Sequence, residues 1–160
     1  MRALTEAETE FVESQGLFFE GFGLPRIGGR ILAYLLLAEE PATLDEVAAA
    51  LKVAKASAST NLRNFVALGM VDVVSVLGNR KTYYQWSPRA WERRYDLVLV
   101  ITGAARQLAQ SGLQTAGADR PAARARLAET VAFADYMGEA VVGVRQGWIE
   151  RLAALRKGDT

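Results

Sequence analysis

The chain has 160 residues, a length that fits one domain, and its 51% hydrophobic and 23% charged residues are the balance of a globular protein. It contains no cysteine and no histidine. Disulfides, Cys/His zinc sites, cysteine nucleophiles and Ser–His–Asp triads are therefore excluded. No glycine-rich phosphate loop occurs, and no pair of carboxylates has the spacing of a shared site. We expect a protein that is not an enzyme and has no metal or other cofactor.

No segment of the sequence resembles a signal peptide or a membrane span. Residues 1–20 include five glutamates, which is wrong for a signal peptide. The most apolar run, Leu97 to Ala105, has nine residues, whereas a membrane-spanning helix needs about 20. We expect a soluble, cytoplasmic protein without a membrane partner.

The net charge of +1 is the sum of segments with opposite charge. Residues 1–24 carry −4 and residues 25–51 carry −2, whereas residues 52–94 hold eight basic side chains against two acidic ones, a net +6. Residues 95–160 carry +1. A local positive excess suits phosphate groups, although a solvated face rich in arginine gives the same count. Charge alone leaves both interpretations open.

Caps and helical spacing predict four helices in the first 68 residues. The capping boxes Thr5–Glu8 and Thr43–Glu46 begin the first and third helices, and Pro25 opens the second. The fourth helix begins at about Lys55, after a tight connection over residues 52–54. The four helices are predicted to end near Gly21, before Pro41, at Leu51 and at Leu68.

After the fourth helix, the spacing of residue types along the sequence changes from that of a helix to that of a β-hairpin. Residues 70–76 are rich in valine, residues 81–86 carry aromatic and β-branched side chains, and Gly78-Asn79 between them is a turn dipeptide. Short helix, tight turn, second helix and hairpin, in this order, predict a winged helix-turn-helix over residues 25–87. The fold class is expected to be mainly α, of the α+β type.

Residues 88–160 are predicted to be helical. Ser87-Pro88 begins a long helix to about residue 114, and Asp119 caps a final helix to about residue 157. The apolar side chains of these helices and of residues 1–24 exceed what a winged module can bury. We therefore predict a homodimer built by residues 1–24 and 120–157 within one compact chain. A monomer with one larger core is the alternative.

The basic and polar residues of the predicted module lie on the fourth helix and at the hairpin tip. A helix fits the major groove of DNA, and a two-stranded ribbon reaches the neighbouring groove or backbone. Small or donor-rich side chains suit base edges and phosphates. The candidate DNA-binding residues are Lys55, Ser57, Ser59, Thr60, Asn61, Arg63, Asn64, Asn79, Arg80 and Lys81.

This part of the sequence resembles the winged helix-turn-helix of MarR-type transcriptional regulators. Residues 20–31 are similar to a Gly-x-Pro-Arg-x-x-Gly-Arg-Ile-type segment of the GbsR-like branch. The resemblance covers about residues 10–95, and the C-terminal third matches only in being helical. The stretches that carry it are Leu44–Ala48, Leu51–Ser59, Leu62-Arg63, Leu68–Val71 and Gly78–Tyr84.

The resemblance implies a homodimeric transcription factor, usually a repressor, that binds an inverted-repeat operator on double-stranded DNA. Two helices related by a dyad would read half-sites about 10 base pairs apart. Ala54 departs from the family pattern, which often has serine there as the cap of the recognition helix. The helix start then lacks a cap typically worth about 0.5–2 kcal/mol, for which Ser57 is a candidate replacement.

Two further interpretations stay open. Tyr83, Tyr84, Trp86, Trp91 and Tyr95 lie close in sequence, and aromatic faces bind quaternary ammonium groups. They form a candidate pocket for a quaternary ammonium or aromatic effector, although packing is the preferred interpretation. The alternative function is a winged-helix module that binds proteins, or an architectural module that binds DNA without sequence preference.

Overall fold

The computed structural model describes residues 4–75, 77–78 and 80–158. It divides the chain into two compact units, the first ending at Ala90 and the second beginning at Trp91. The first unit contains α1 (Glu6–Gly21), α2 (Arg26–Leu37), β1 (Ala42–Thr43), α3 (Leu44–Ala50), α4 (Lys55–Ala67), β2 (Val71–Ser75) and β3 (Thr82–Trp86). Nearly all of the second consists of α5 (Ala90–Thr115) and α6 (Pro121–Lys157).

Both predicted capping boxes are present, and they determine where α1 and α3 begin. The Thr5 N–H donates to the Glu8 carboxylate at 2.8 Å, and the Glu8 N–H donates to the Thr5 hydroxyl at 3.3 Å. The Thr43–Glu46 pair repeats this arrangement at 2.7 Å and 3.3 Å. Two otherwise unsatisfied backbone donors are thus paired at each helix start.

The core of the first unit lies where α2 packs against α1, α4 and β3, and where α3 packs against α4. Buried apolar side chains come from all four helices, and Ile31 of α2 is fully buried. Arg30 of α2 links α1 to the end of α3, because its guanidinium forms an ion pair with Glu13 of α1 at 2.9 Å and donates to the carbonyl of Leu51, the C-cap of α3, at 3.0 Å. Gly29 lets α2 approach α1 closely, since a Cβ there would collide with the backbone of Gln15.

The sheet has three antiparallel strands in the order β1-β3-β2. The hairpin of β2 and β3 confirms the predicted strands, and its register pairs Val71 with Trp86 and Ser75 with Thr82. The sequence does not predict β1, whose Ala42 pairs with Tyr84 of β3. Two residues give no periodicity to detect, so only the tertiary fold identifies this strand.

Two predicted helix boundaries need correction. α2 ends at Leu37, well before Pro41, because the backbone is already extended at Ala38 and leads into β1. The final helix has Arg120 as its N-cap, with no side-chain cap, so the prediction of Asp119 as the cap is wrong. The Asp119 carboxylate instead turns back to Gly117, where an added Cβ would collide with it.

In the second unit, ion pairs join α5 to α6. Arg106 pairs with Asp135, and the Arg145 Nε donates to the Asp96 carboxylate at 2.8 Å. The guanidinium of Arg124 donates to the carbonyls of Leu113 and Ala116 at the end of α5, at 2.9 and 2.8 Å. No helix among the described residues is both long and apolar enough to cross a membrane.

Candidate nucleic-acid interface

α3, a tight turn and α4 form the predicted helix-turn-helix. The turn requires Lys52 to adopt a left-handed conformation, with a φ of 54°. Ala58, Leu62 and Phe65 form the buried face of α4. The side chains of α4 that are exposed and were predicted to contact DNA are Lys55, Ser57, Thr60, Arg63 and Asn64.

Two of the predicted DNA-binding residues, Ser59 and Asn61, are only half-exposed. The Asn61 side-chain amide donates to the carbonyl of Ser57 at 2.9 Å. Its Oδ1 lies over Gly28 of α2, 3.0 Å from where a Cβ would stand. Asn61 therefore contributes to the packing of α4 on α2, and it is less accessible than the exposed candidates of α4.

The polar groups at the start of α4 have weak local partners. The Lys55 ammonium pairs with Asp45 of α3 at 2.7 Å, but both side chains are about two-thirds exposed, and an exposed pair of this kind contributes little stability. A DNA phosphate can therefore replace Asp45 at small cost. The Thr60 hydroxyl donates to the carbonyl of Ala56 at 3.0 Å, which leaves its oxygen as an acceptor.

The N-terminus of α4 has no side-chain cap. Ala54 is the N-cap residue and makes no side-chain hydrogen bond, and no hydrogen bond of the Ser57 side chain replaces it within the described residues. The backbone N–H groups of the first turn thus remain available at the positive end of the helix dipole. This is the arrangement that attracts a phosphate oxygen.

The wing carries the remaining candidates. Arg80 and Lys81 are exposed just before β3, and Gly78 adopts the left-handed conformation of a turn, with a φ of 80°. Asn79, also predicted to bind DNA, lies outside the described residues. The charge of Lys81 acts on Glu46 of α3, but the hydrogen bonds from Thr43 do more to lower the pKa of that carboxyl.

The five aromatic residues of the candidate effector pocket do not all belong to one unit. Tyr83, Tyr84 and Trp86 lie on β3, where Tyr84 and Trp86 pack against the core of the first unit. Trp91 and Tyr95 belong to the second unit. Among the described residues, no group of three or more acidic side chains could hold a metal ion. A cavity near Tyr34 of α2 was not predicted, because its lining comes from three separate stretches of the chain, residues 4–8, 34–42 and 46.

Comparisons with known proteins agree with this geometry. Residues 89–151 match the model of the MmpR5-like MarR family transcriptional regulators. The HTH-type transcriptional regulator MmpR5 of Mycobacterium tuberculosis is 32% identical over 133 residues, which are 82% of this chain and 81% of that protein.

A solved crystal structure described as a transcriptional regulator is 31% identical to this chain. It superposes with a TM-score of 0.81 and covers 90% of this chain and 99% of its own. These similarities confirm the predicted mainly helical winged-helix fold and the prediction that the protein is not an enzyme. The chain belongs to the MarR family of transcriptional regulators.

Proposed function

We propose that this regulator acts as a homodimeric repressor that binds an inverted-repeat operator through α4 and the wing. The observation that carries the proposal is the outer face of α4. Lys55, Arg63 and small polar side chains are exposed there, and α4 contains no acidic residue. Arg80 and Lys81 add exposed positive charge on the wing. A DNA backbone would meet donors over this whole surface.

Exposed apolar side chains support the dimer. Phe18 of α1 and Phe22, its C-cap residue, are 57% and 70% exposed. Phe133 and Tyr136 of α6 are 62% and 69% exposed. Large apolar side chains clustered in this way mark interaction sites more often than free surface. A dyad between two copies would place the two α4 helices on half-sites about 10 base pairs apart.

The branch within the family, the effector and the cellular location are also proposals. The GbsR-like branch rests on residues 20–31 alone, whereas the family model that matches is the MmpR5-like one, over residues 89–151.

An effector at the aromatic residues of β3 and α5 rests on their chemistry. A shift of the melting temperature with choline, betaine or a phenol supports it, and no shift favours packing. We expect the protein to work in the cytoplasm.

The DNA surface is tested by replacing Lys55, Arg63, Arg80 and Lys81 together with alanine. We expect weaker binding to the operator identified by genomic footprinting. The slope of log K against log salt should also become shallower, by about 0.9 for each phosphate that the variant no longer neutralises. The measurement is a fluorescence-anisotropy titration at several salt concentrations.

A matched control removes the same charge from the second unit, by replacing the exposed Arg120, Arg126, Arg151 and Lys157 with alanine. Because these four residues lie in the segment that is predicted to build the dimer, sedimentation first checks that the control is still a dimer. Its slope should then equal that of the wild type. Equal binding by the first variant and the wild type would show that the DNA surface is misplaced. Competition with random DNA tests the architectural alternative, because a sequence-specific protein typically binds its own site about 10³–10⁷ times more tightly than random DNA.

A further inference from the structure

A cavity of about 310 Å³ lies within the first unit, away from the outer face of α4. Its volume is at the lower end of the range for small-molecule sites. The start of α1, the end of α2, the segment before β1 and one residue of α3 contribute to it. The lining residues are Leu4, Glu8, Tyr34, Leu37, Ala38, Glu39, Glu40, Pro41, Ala42 and Glu46.

The hydroxyl of Tyr34 is the polar group in the apolar part of the cavity wall. The residue is only 7% exposed, and its hydroxyl makes no hydrogen bond within the described part of the chain. Burial, followed by the nearby charge of Glu46, raises the pKa of the phenol, so it stays protonated at neutral pH. Because Tyr34 lines the cavity, its hydroxyl is open to a ligand there and can form a hydrogen bond with it.

The other polar lining groups are carboxylates. Glu46 uses Oε2 to accept the Thr43 N–H and hydroxyl, both at 2.7 Å, and its Oε1 accepts no hydrogen bond from a described residue. Glu39 and Glu40 are exposed at the rim, and neither forms an ion pair with any residue that the structure describes. Glu8 is the fourth acidic residue of the lining, and its carboxylate also accepts a hydrogen bond from the Thr5 N–H.

This combination of groups selects a class of ligand. The acidic residues of the described chain do not form a metal-binding group, and the walls of Leu4, Leu37 and Pro41 suit hydrocarbon rather than water. An anion would be repelled by the carboxylates. A neutral molecule would form no charge-assisted hydrogen bond with Glu46.

We propose that this cavity binds a primary organic ammonium ion with a short apolar body. The ammonium N–H groups donate to the Tyr34 hydroxyl oxygen and to Oε1 of Glu46, and the rim carboxylates attract the charge. Such charge-assisted hydrogen bonds are the strong ones, and the hydrocarbon part packs on the apolar walls. The proposal does not depend on how the protein binds DNA.

The test is isothermal titration of the full chain with 2-phenylethylamine. Its neutral isostere 2-phenylethanol and the anion 3-phenylpropionate should bind at least about tenfold more weakly, because each loses the charge-assisted bonds. Tyr34→Phe, which removes one oxygen atom, should weaken amine binding about tenfold.

Glu39→Gln with Glu40→Gln should also weaken amine binding, and since both residues are exposed this variant should fold as the wild type does. The matched control is Glu10→Gln, an exposed carboxylate of α1 outside the cavity lining, which should bind as the wild type does. Equal affinity for 2-phenylethanol, unchanged binding by both the Tyr34 and rim variants, or no saturable binding up to about 10 mM would each overturn the proposal.

Discussion

Glu46 combines two tasks at the start of α3. Its carboxylate accepts the N–H and the hydroxyl of Thr43, and these bonds are the main reason that its pKa is lowered from the ordinary 4.5. A lowered pKa in the folded state means that the ionised form stabilises the fold. The contribution is present above pH 4.5 and is lost as the pH falls through the lowered pKa of the folded protein.

The Glu46→Gln variant tests this contribution. At pH 7 its free energy of unfolding should be lower by about 1 kcal/mol or less, since the group is only half-buried and solvent screens it. As the pH falls below 4.5 and through the lowered pKa of Glu46, the wild type should lose more stability than the variant. Urea unfolding at pH 7 and at lower pH measures the free energy of unfolding and its dependence on pH, with Glu10→Gln as the control. Parallel pH profiles of wild type and variant would contradict the assignment.

Gly29 gives a second residue-scale prediction. A methyl group there would meet the backbone of Gln15 in α1, which cannot move as a side-chain end can. Gly29→Ala should therefore destabilise the fold by about 1–3 kcal/mol or more. Gly21→Ala is the control, because nothing lies within 4 Å of an added Cβ. The variants are compared by urea unfolding, and equal stability would show that α1 and α2 pack less closely.

At the scale of elements, α4 is a helix that is stabilised by packing rather than by capping or charge interactions at its start. It lacks a side-chain cap, and its first turn contains no acidic residue. Its buried face of Ala58, Leu62 and Phe65 supplies the packing instead. The uncapped start has a consequence for binding, because the same N–H groups that a cap would satisfy can bind a phosphate.

Ala54→Ser should supply the missing cap. Ala54 already has the extended conformation of an N-cap, with φ of −63° and ψ of 135°, so a serine hydroxyl can accept an N–H of the first turn. We expect a gain of about 0.5–1 kcal/mol in the free energy of unfolding. Ala56→Ser, inside the first turn of the helix, is the control. A serine at position 54 that leaves the stability unchanged would argue against this helix start.

At the scale of the whole molecule, each unit leaves large apolar side chains in contact with solvent. Phe22 at the end of α1 is 70% exposed, Leu108 of α5 is 75% exposed and Tyr136 of α6 is 69% exposed. A single copy of the chain leaves these side chains uncovered. A second copy would cover them without any change in the core.

Sedimentation velocity at micromolar concentration tests this expectation, and the wild type should sediment as a dimer. Replacing Phe133 and Tyr136 with lysine should shift it toward the monomer, because burying two charges in an apolar interface is costly. Glu139→Lys, at an exposed polar position of the same helix, should leave the dimer intact. A wild type that sediments as a monomer would refute the dimer.

The sequence alone determined the elements that depend on local rules. The capping residues Thr5 and Thr43, the glycine after α4 and the change of period at residue 70 all act within a few residues of where they stand. They therefore predicted α1, α3, α4 and the wing to within one or two residues. They also predicted the winged helix-turn-helix and the face of α4 that is exposed.

Only the tertiary structure decided features that depend on residues far apart in the chain. β1 exists because Ala42 meets Tyr84 across the sheet, and Asn61 turns inward because Gly28 of α2 leaves room for it. The acidic cavity at Tyr34 is assembled from three separate stretches of the chain, so no local pattern predicts it. Caps and periodicity are local interactions, whereas strand pairing, close helix packing and cavities arise only when distant segments come together.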